Sequence, residues 1–367
     1  MIKEFKYKFY RNTTDAALAM LTDIKNAKQS IYWEIYSFID DDFSHDFVEA
    51  LCERAQFGVE VKIIVDAIGS FELKSSAVAK MRASGVDLLY YNNLSPKIYL
   101  RLWLKNLWYR NHRKVLIIDE EIVFIGGVNV AKAYSTWEDI HVRIIGRPVG
   151  ILLRAFAHSY ILSGGKRKNV SHLLKHRLKE NWREFKRHCY FILHSPSVRH
   201  EQSAKKIFFN NLARCKKTFN LMTPYFVADK KFFTLMRAAK DRGVEVNIFL
   251  PERPDHPLLE WIAGFYYYLA HKNGANIFLS SRMNHGKAMT CDDQMGFIGS
   301  FNFTPRSFFY NEESGIFFHD EEMVRELNLI FADCKRNYKK LSKDNYLKFD
   351  WWSRTKAWLG KHMGEWI

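Results

Sequence analysis

Hydrophobic positions fall along this chain in two series of short runs, and the second series repeats the first. The run Ile31-Tyr32-Trp33-Glu34-Ile35 follows the polar stretch Ala27-Lys28-Gln29-Ser30, and Phe219-Asn220-Leu221-Met222 follows Arg214-Cys215-Lys216-Lys217-Thr218. Both read as a helix end and then a strand. Next, a helical pattern through Val48, Leu51 and Ala55 stops at Gly58 and gives the run Val59–Val65; its counterpart through Phe233, Met236 and Ala239 stops at Gly243 and gives Val244–Leu250. Glycine just past each helix suits a left-handed C-cap, and the unbroken apolar runs suit buried parallel strands. A third pair, Val86–Tyr91 and Ala275–Leu279, follows Gly85 and Gly274. Each series closes on two apolar runs around a polar turn: Val115–Ile118 with Ile122–Ile125, and Ala288–Cys291 with Met295–Ile298. The pattern predicts an α/β chain of two halves, each a β-α-β-α-β unit finished by a hairpin.

The hairpins carry the chemistry. Asn111-His112-Arg113-Lys114, Asp119 and Gly126-Gly127-Val128-Asn129 return as Asn284-His285-Gly286-Lys287, Asp292 and Gly299-Ser300-Phe301-Asn302. Counted from each histidine, the Lys, Asp, first Gly and Asn lie at offsets 2, 7, 14 and 17 in both copies. Residues two apart on a strand share a face, so His and Lys project together while the Asp sits in the turn.

A motif H-x-K-x4-D followed by G-[GS]-x-N, present twice in register, resembles the phospholipase D superfamily. The resemblance implies two tandem α-β-α sandwich halves related by pseudo-twofold symmetry, with one active site at their interface. One His then attacks a phosphodiester to form a phosphohistidine, while the other protonates the leaving alcohol and deprotonates the incoming one. Histidine suits both tasks because its ordinary pKa lies near neutrality. The resemblance makes His112 and His285 the catalytic pair and assigns the phosphate oxygens to Lys114 and Lys287, with Asn129, Asn302, Ser300 and Gly127 beside them. Asp119 and Asp292 complete the catalytic motif, although a turn Asp is expected to bond local backbone amides. A nucleophilic His also needs an acceptor for its second nitrogen. Asp139 and Glu313 lie 27 and 28 residues beyond the motif histidines, the distance at which such families place that carboxylate. Strand alternation lets Asp139 and Glu313, rather than their neighbours Glu138 and Glu312, face the site. No metal or other cofactor is called for, since lysines and asparagines meet the phosphate charge.

Within the superfamily, the likeness is to bacterial cardiolipin synthases, over residues 14–340 or so. It rests on Trp137-x-Asp139-x-His141-Val142-Arg143 after the first motif, and on Arg306-Ser307 and Asn311-x-Glu313 after the second. The chain looks like the shorter type, without an N-terminal transmembrane hairpin, and Phe308-Phe309-Tyr310 is expected to add bulk beside the site. The implied reaction converts two phosphatidylglycerols to cardiolipin and glycerol. The alternatives are a phosphodiesterase that hydrolyses phospholipid or nucleic acid, and a non-catalytic protein that binds anionic membrane.

Composition narrows these. Over 367 residues the net charge is +16, which calls for a polyanionic partner: an anionic phospholipid surface or nucleic acid. Nucleic acid is disfavoured, because the stretch from Ile98 to Tyr109 is too apolar for a phosphate-tracking groove. The five cysteines are scattered without a C-x-x-C pair, so neither a disulfide framework nor a zinc site is expected. No signal peptide or transmembrane span is evident, which points to a peripheral protein on the cytoplasmic face of the bacterial inner membrane. The expected division is a first half over 1–162, a basic connecting segment over 163–189, a second half over 190–340 and a Trp/Lys-rich amphipathic tail over 341–367. The connector is a solvated surface or a lipid-headgroup contact. Expected membrane contacts are Trp103, Lys105 and Trp108 beside the first motif and Trp352 and Trp358 in the tail, where Trp alternates with cations.

Overall fold

The computed structural model describes residues 5–93, 108–146, 149–175, 188–196 and 203–342. They form two mixed sheets with helices packed on them. In the first, β2 (Ser30–Ile35), β3 (Glu60–Asp66) and β4 (Asp87–Tyr91) run parallel, and β5 (Val115–Ile118), β6 (Ile122–Gly126) and β7 (Glu138–Ile145) extend the sheet antiparallel to an edge strand β1 (Lys6–Asn12). The strand order is β1-β7-β6-β5-β2-β3-β4. In the second, β9 (Thr218–Met222), β10 (Glu245–Pro251) and β11 (Ala275–Ser280) are the parallel set; β12 (Ala288–Cys291), β13 (Met295–Gly299) and β14 (Glu313–Phe318) follow, with edge strands β8 (Cys189–His194) and β15 (Lys339–Lys340). The expected β-α-β-α-β unit with its hairpin is present twice. The strands that the alternation around Asp139 and Glu313 presupposes are β7 and β14; what the hydrophobic pattern did not reveal is the edge strands β1 and β8 that pair with them.

The motif strands are apolar throughout because both of their faces are buried. Val115 and Ile117 of β5 join a central core with Ala288, Ile298 and Ile316 of the other sheet, while Leu116 and Ile118 point to an outer core with the helix residues Ala17, Met20 and Leu51. The second sheet has its own outer core, containing Phe232, Met236, Met289 and Phe297. The two sheets thus face one another between outer layers of helix. Helices Gly150–Leu162 and Glu321–Asn337 add Phe156 and Leu327 to the central core. Gly58 and Gly243, at φ +86° and +81°, end their helices in the left-handed conformation anticipated for them.

The motif aspartates do different work from that of catalytic groups. Asp119 and Asp292 sit in the hairpin turns with φ of 52°, at the far end of the motif strand from the histidines. The Asp119 carboxylate accepts the amides of Lys28, Gln29 and Ser30 at 2.7–3.1 Å, and Asp292 those of Lys216, Lys217 and Thr218 at 2.8–3.0 Å. These amides are not local to the turn; they open β2 and β9, the strands beside each motif strand. Four residues of strand at about 3.3 Å each separate such an Asp from the chemistry, so both are clamps that join hairpin to sheet.

Candidate active site

Each motif histidine lies just ahead of its strand, where the chain bridges to the other half. The His112 amide donates to Glu312 O at 2.9 Å and the Glu312 amide to Arg110 O at 2.8 Å; the His285 amide donates to Glu138 O at 2.7 Å and the Glu138 amide to Met283 O at 3.0 Å. These bridges, Asn111 with Glu312 and Asn284 with Glu138, bring each histidine against the carboxylate strand of the opposite half. His112 Nδ1 therefore meets Glu313 at 3.0 Å, and His285 Nδ1 meets Asp139 Oδ2 at 2.8 Å. The facing residues are those that strand alternation selects. The partnership is crossed, however: the carboxylate 27 or 28 residues downstream holds the histidine of the other half, because the inter-half bridge and not the sequence offset sets the distance.

Both imidazoles are buried, with 7% and 5% of their residue surface exposed. Tyr36 packs edge-on against His112 and Trp137 against His285, at ring distances of 4.9 and 5.3 Å. The Nε2 sides open on a cavity of 480 Å³ whose wall includes Asn129, Asn302, Arg110 and Arg306. Lys114 and Lys287 are 1% exposed and each donates its ammonium to the carbonyl of its own histidine. Among the described residues neither lysine makes an ion pair. Burial, and for Lys114 the neighbouring Lys287, pull both well below the ordinary lysine range, Lys287 to about 8. Two buried lysines that Asp139 and Glu313 reach only through space, and not by a direct ion pair, can receive an anion between them.

The same physics acts on the histidines. Burial first, and then Lys114, Lys287 and His285, hold His112 well below its ordinary value. His285 is also lowered by burial and Lys287, but Asp139 works in the opposite direction through charge and hydrogen bond. Glu313 is pushed up to about 7 by burial, against the opposing pull of Lys114 and of donors from Ser300, Ser307 and Asn311.

Of the remaining phosphate-binding candidates, Asn129 and Asn302 line the cavity. Asn129 Oδ1 accepts the Ser37 amide at 3.3 Å, and Asn302 Oδ1 is buried with no partner among the described residues. Ser300 and Gly127 are corrected. Ser300 is fully buried; its hydroxyl donates to Glu313 and accepts the Ser314 amide at 2.9 Å, so it orients the carboxylate. The Gly127 amide is spent on Ile140 O at 3.2 Å, and a Cβ there would lie 2.2 Å from Asp139 Oδ1. Glycine at 127 makes room for that carboxylate. Of the expected bulk, Phe308 is core, while Tyr310 meets Trp108 of the cavity wall edge-on at 6.0 Å.

Arg113, inside the first motif, gave no sequence signal of its own, and is buried against Glu312 at 2.7 Å and Ser159 at 2.9 Å. Ser307, part of the Arg306-Ser307 pair in the resemblance, joins Ser300 on Glu313. Remote from the histidines, the Cys215 and Cys291 thiols and the Asp292 carboxylate lie within 4.8 Å of one another, a grouping that linear spacing concealed. Among the membrane candidates Trp108 is half-buried at the cavity wall, while Trp103, Lys105, Trp352 and Trp358 lie outside the described residues. Among the described residues no helix is long and apolar enough to cross a membrane.

The family model "Cardiolipin synthase, PLD-like domain" matches residues 20–149 and 208–335, one copy per sheet. A cardiolipin synthase of Clostridium perfringens strain SM101 is 31% identical over 328 residues, covering 86% of this chain and 67% of that protein. A minor cardiolipin synthase of Bacillus subtilis strain 168 is 29% identical over 355 residues, covering 95% and 85%. In fold, the chain resembles the phosphatidylserine synthase of Haemophilus influenzae Rd KW20, with a TM-score of 0.71 at 12% identity over 100% of this chain and 96% of that one.

Proposed function

The chain belongs to the phospholipase D-like cardiolipin synthase family and is a phospholipid-metabolising enzyme of that superfamily; on that premise we propose that it transfers a phosphatidyl group from one phosphatidylglycerol to another, giving cardiolipin and glycerol. The observation that carries this reading is the crossed pair of carboxylate-held histidines opening on one cavity, beside two buried lysines that make no direct ion pair among the described residues. That set suits one phosphodiester: the ammonium groups and the Asn129 and Asn302 amides take the nonbridging oxygens, and the histidines approach phosphorus from opposite sides.

In the proposed cycle His112 is the nucleophile and His285 the acid. His112 is the more firmly held neutral, and its Nδ1–H is directed to Glu313, which leaves the Nε2 lone pair to form the N–P bond as the bond from phosphorus to the glycerol oxygen breaks. His285, whose proton Asp139 favours, gives it to that leaving oxygen. Neutral His285 then takes the proton of the second lipid's hydroxyl, whose oxygen attacks phosphorus and releases His112. Splitting one displacement into two gives both lipids the same phosphorus in turn. The proposed site of work is the membrane surface of the cytoplasmic face, supported by the net charge of +16 and by Trp108 at the cavity wall.

The test is to incubate the purified protein, in chelator, with phosphatidylglycerol vesicles and separately with plasmid DNA. Cardiolipin with one glycerol released per molecule formed is expected. Cleaved plasmid with intact lipid, or phosphatidic acid as the sole lipid product, would contradict the proposal.

A further inference from the structure

A phosphatidylglycerol that accepts a phosphatidyl group brings a phosphate of its own, so a transferase acting on two such lipids meets two phosphates where a hydrolase meets one. The motif lysines and asparagines account for the reacting phosphate. The cavity wall holds two further guanidinium groups, Arg110 and Arg306. Arg110 is committed: Asp66 takes its Nε and Nη2 at 2.6–3.0 Å, with both residues buried. Arg306 is not. Among the described residues its guanidinium makes no hydrogen bond and no ion pair, although it is half-buried and sits near Arg110. Desolvation and that neighbouring cation both disfavour its charge, so its position costs free energy that an anion in the cavity would offset.

The backbone holds this residue in place. Thr304 caps the short helix Pro305–Phe309 by accepting the Ser307 amide, and the Arg306 carbonyl accepts the amides of Tyr310 and Asn311 at 2.9 and 3.2 Å. The arginine also breaks the symmetry of the site. The halves are offset by 173 residues at the histidines and by 174 at Asp139 and Glu313, so the position equivalent to Arg306 is Ala133 or Lys132. The nearest first-half cation, Lys132, is drawn to Asp42 at 3.1 Å. The second-half end of the cavity thus carries a guanidinium that makes no ion pair among the described residues.

We propose that Arg306 binds the phosphate of the acceptor lipid, so that it selects a phosphate-bearing alcohol over water or a neutral alcohol as the group that displaces His112. The inference rests on the phosphatidyl-transfer reading above. In the step concerned, the acceptor hydroxyl oxygen forms its bond to phosphorus as the Nε2–P bond breaks, and the hydroxyl proton passes to His285. The arginine takes no part in the bond changes; it raises the share of phosphohistidine that meets the correct alcohol and fixes that alcohol's approach.

The experiment gives wild type, Arg306→Ala and Arg306→Lys a choice of acceptors: phosphatidylglycerol vesicles in buffer with a fixed concentration of ethanol, with cardiolipin, phosphatidylethanol and phosphatidic acid quantified by mass spectrometry. Loss of one charge-assisted phosphate contact predicts that Arg306→Ala lowers the cardiolipin-to-phosphatidylethanol ratio about 10- to 100-fold. Phosphatidylethanol formation itself should persist, which also shows that the variant is folded. Arg306→Lys should restore part of the ratio, since a point charge replaces a fork. If all three products fall together in Arg306→Ala, the arginine serves the reacting phosphate and the inference fails; an unchanged ratio overturns it as well. A wild-type chain that makes neither cardiolipin nor phosphatidylethanol overturns the transfer reading and this inference with it.

Discussion

The two motif histidines occupy equivalent places in their halves, yet the structure backs them differently. Behind His112 lies a buried polar network in which Arg113 bonds Glu312 and Ser159, and the Asn111 amide donates to Glu34 at 2.9 Å. Behind His285 the equivalent positions are Gly286 and Met222, as the pairing of Glu34 with Val115 and of Met222 with Ala288 establishes. A Cβ on Gly286 would lie 2.6 Å from Met222 Sδ, and Asn284 Nδ2 is buried with no partner among the described residues. The carboxylates differ as well. Glu313 accepts from Ser300, Ser307 and Asn311 besides His112, whereas Asp139 has a short bond to His285 and one to its neighbour's amide at 2.7 Å. Residues that recur in register supply what both halves must do, which is to present an imidazole and an ammonium to phosphate. Residues that do not recur give the duplicated site a direction.

The largest effect should come from the histidines. His112→Ala and His285→Ala are each expected to lower turnover of phosphatidylglycerol about 10³-fold or more. The asymmetry appears with a leaving group that needs no proton: with a p-nitrophenyl ester of phosphatidic acid, His285→Ala should release a burst of p-nitrophenol near the wild-type rate, while His112→Ala releases none. Equal behaviour of the two variants toward the activated ester would erase the distinction between them.

Removing a cation tests the shared part of the site. Lys287→Met should lower turnover about 10²-fold, by the loss of one transition-state partner, yet stabilise the fold. Below pH 8 the native Lys287 is charged and buried; its fall from the ordinary value of 10.5 to about 8 corresponds to about 3 kcal/mol of destabilisation. The unfolded chain binds more protons than the native one between pH 8 and 10.5, so wild-type stability should rise with pH across that window and the variant's should not. Differential scanning calorimetry at pH 7 and 9.5 reads both changes. A variant that melts lower than wild type at pH 7 would mean that an unseen partner already neutralises this lysine. The same charge sets an alkaline limb, so kcat/KM should fall above pH 8 as the lysine loses its proton.

The crossed carboxylates should give the smallest change, about 10- to 100-fold for Asp139→Asn and for Glu313→Gln, as expected when an orienting acceptor is lost. Pairing across the halves makes a specific statement: with the activated ester, Asp139→Asn should resemble His285→Ala and Glu313→Gln should resemble His112→Ala. The opposite association would place each carboxylate with the histidine of its own half.

Much of this was legible in the residues. The duplicated H-x-K-x4-D offsets identified both histidines and both lysines, and strand alternation chose Asp139 over Glu138 and Glu313 over Glu312, because period and spacing are properties of the chain itself. Partnership across the halves was not legible, since the bridges of Asn111 with Glu312 and Asn284 with Glu138 join residues 201 and 146 positions apart. For the same reason Asp119 passed as a catalytic or local turn group, when the amides that donate to it belong to residues 28–30 at the start of a neighbouring strand. Ser300 and Gly127 sit in the loop that families of this kind associate with phosphate, but what they touch is a carboxylate, and only three dimensions distinguish the two. The aromatic and cationic segment ahead of the first motif shows the remaining limit: its composition suggested a lipid contact, and of its named residues only Trp108 is among those described, against Tyr310.

The most direct measurement combines the strongest asymmetry with the covalent step. His285→Ala should react with the p-nitrophenyl ester to form the phosphohistidine but lack the base that activates the second alcohol, so the intermediate accumulates. After rapid quench at alkaline pH and proteolysis, mass spectrometry should find a phosphatidyl adduct on His112, one equivalent per p-nitrophenol released in the burst. A burst without any protein adduct, or an adduct on a residue other than His112, would contradict the account.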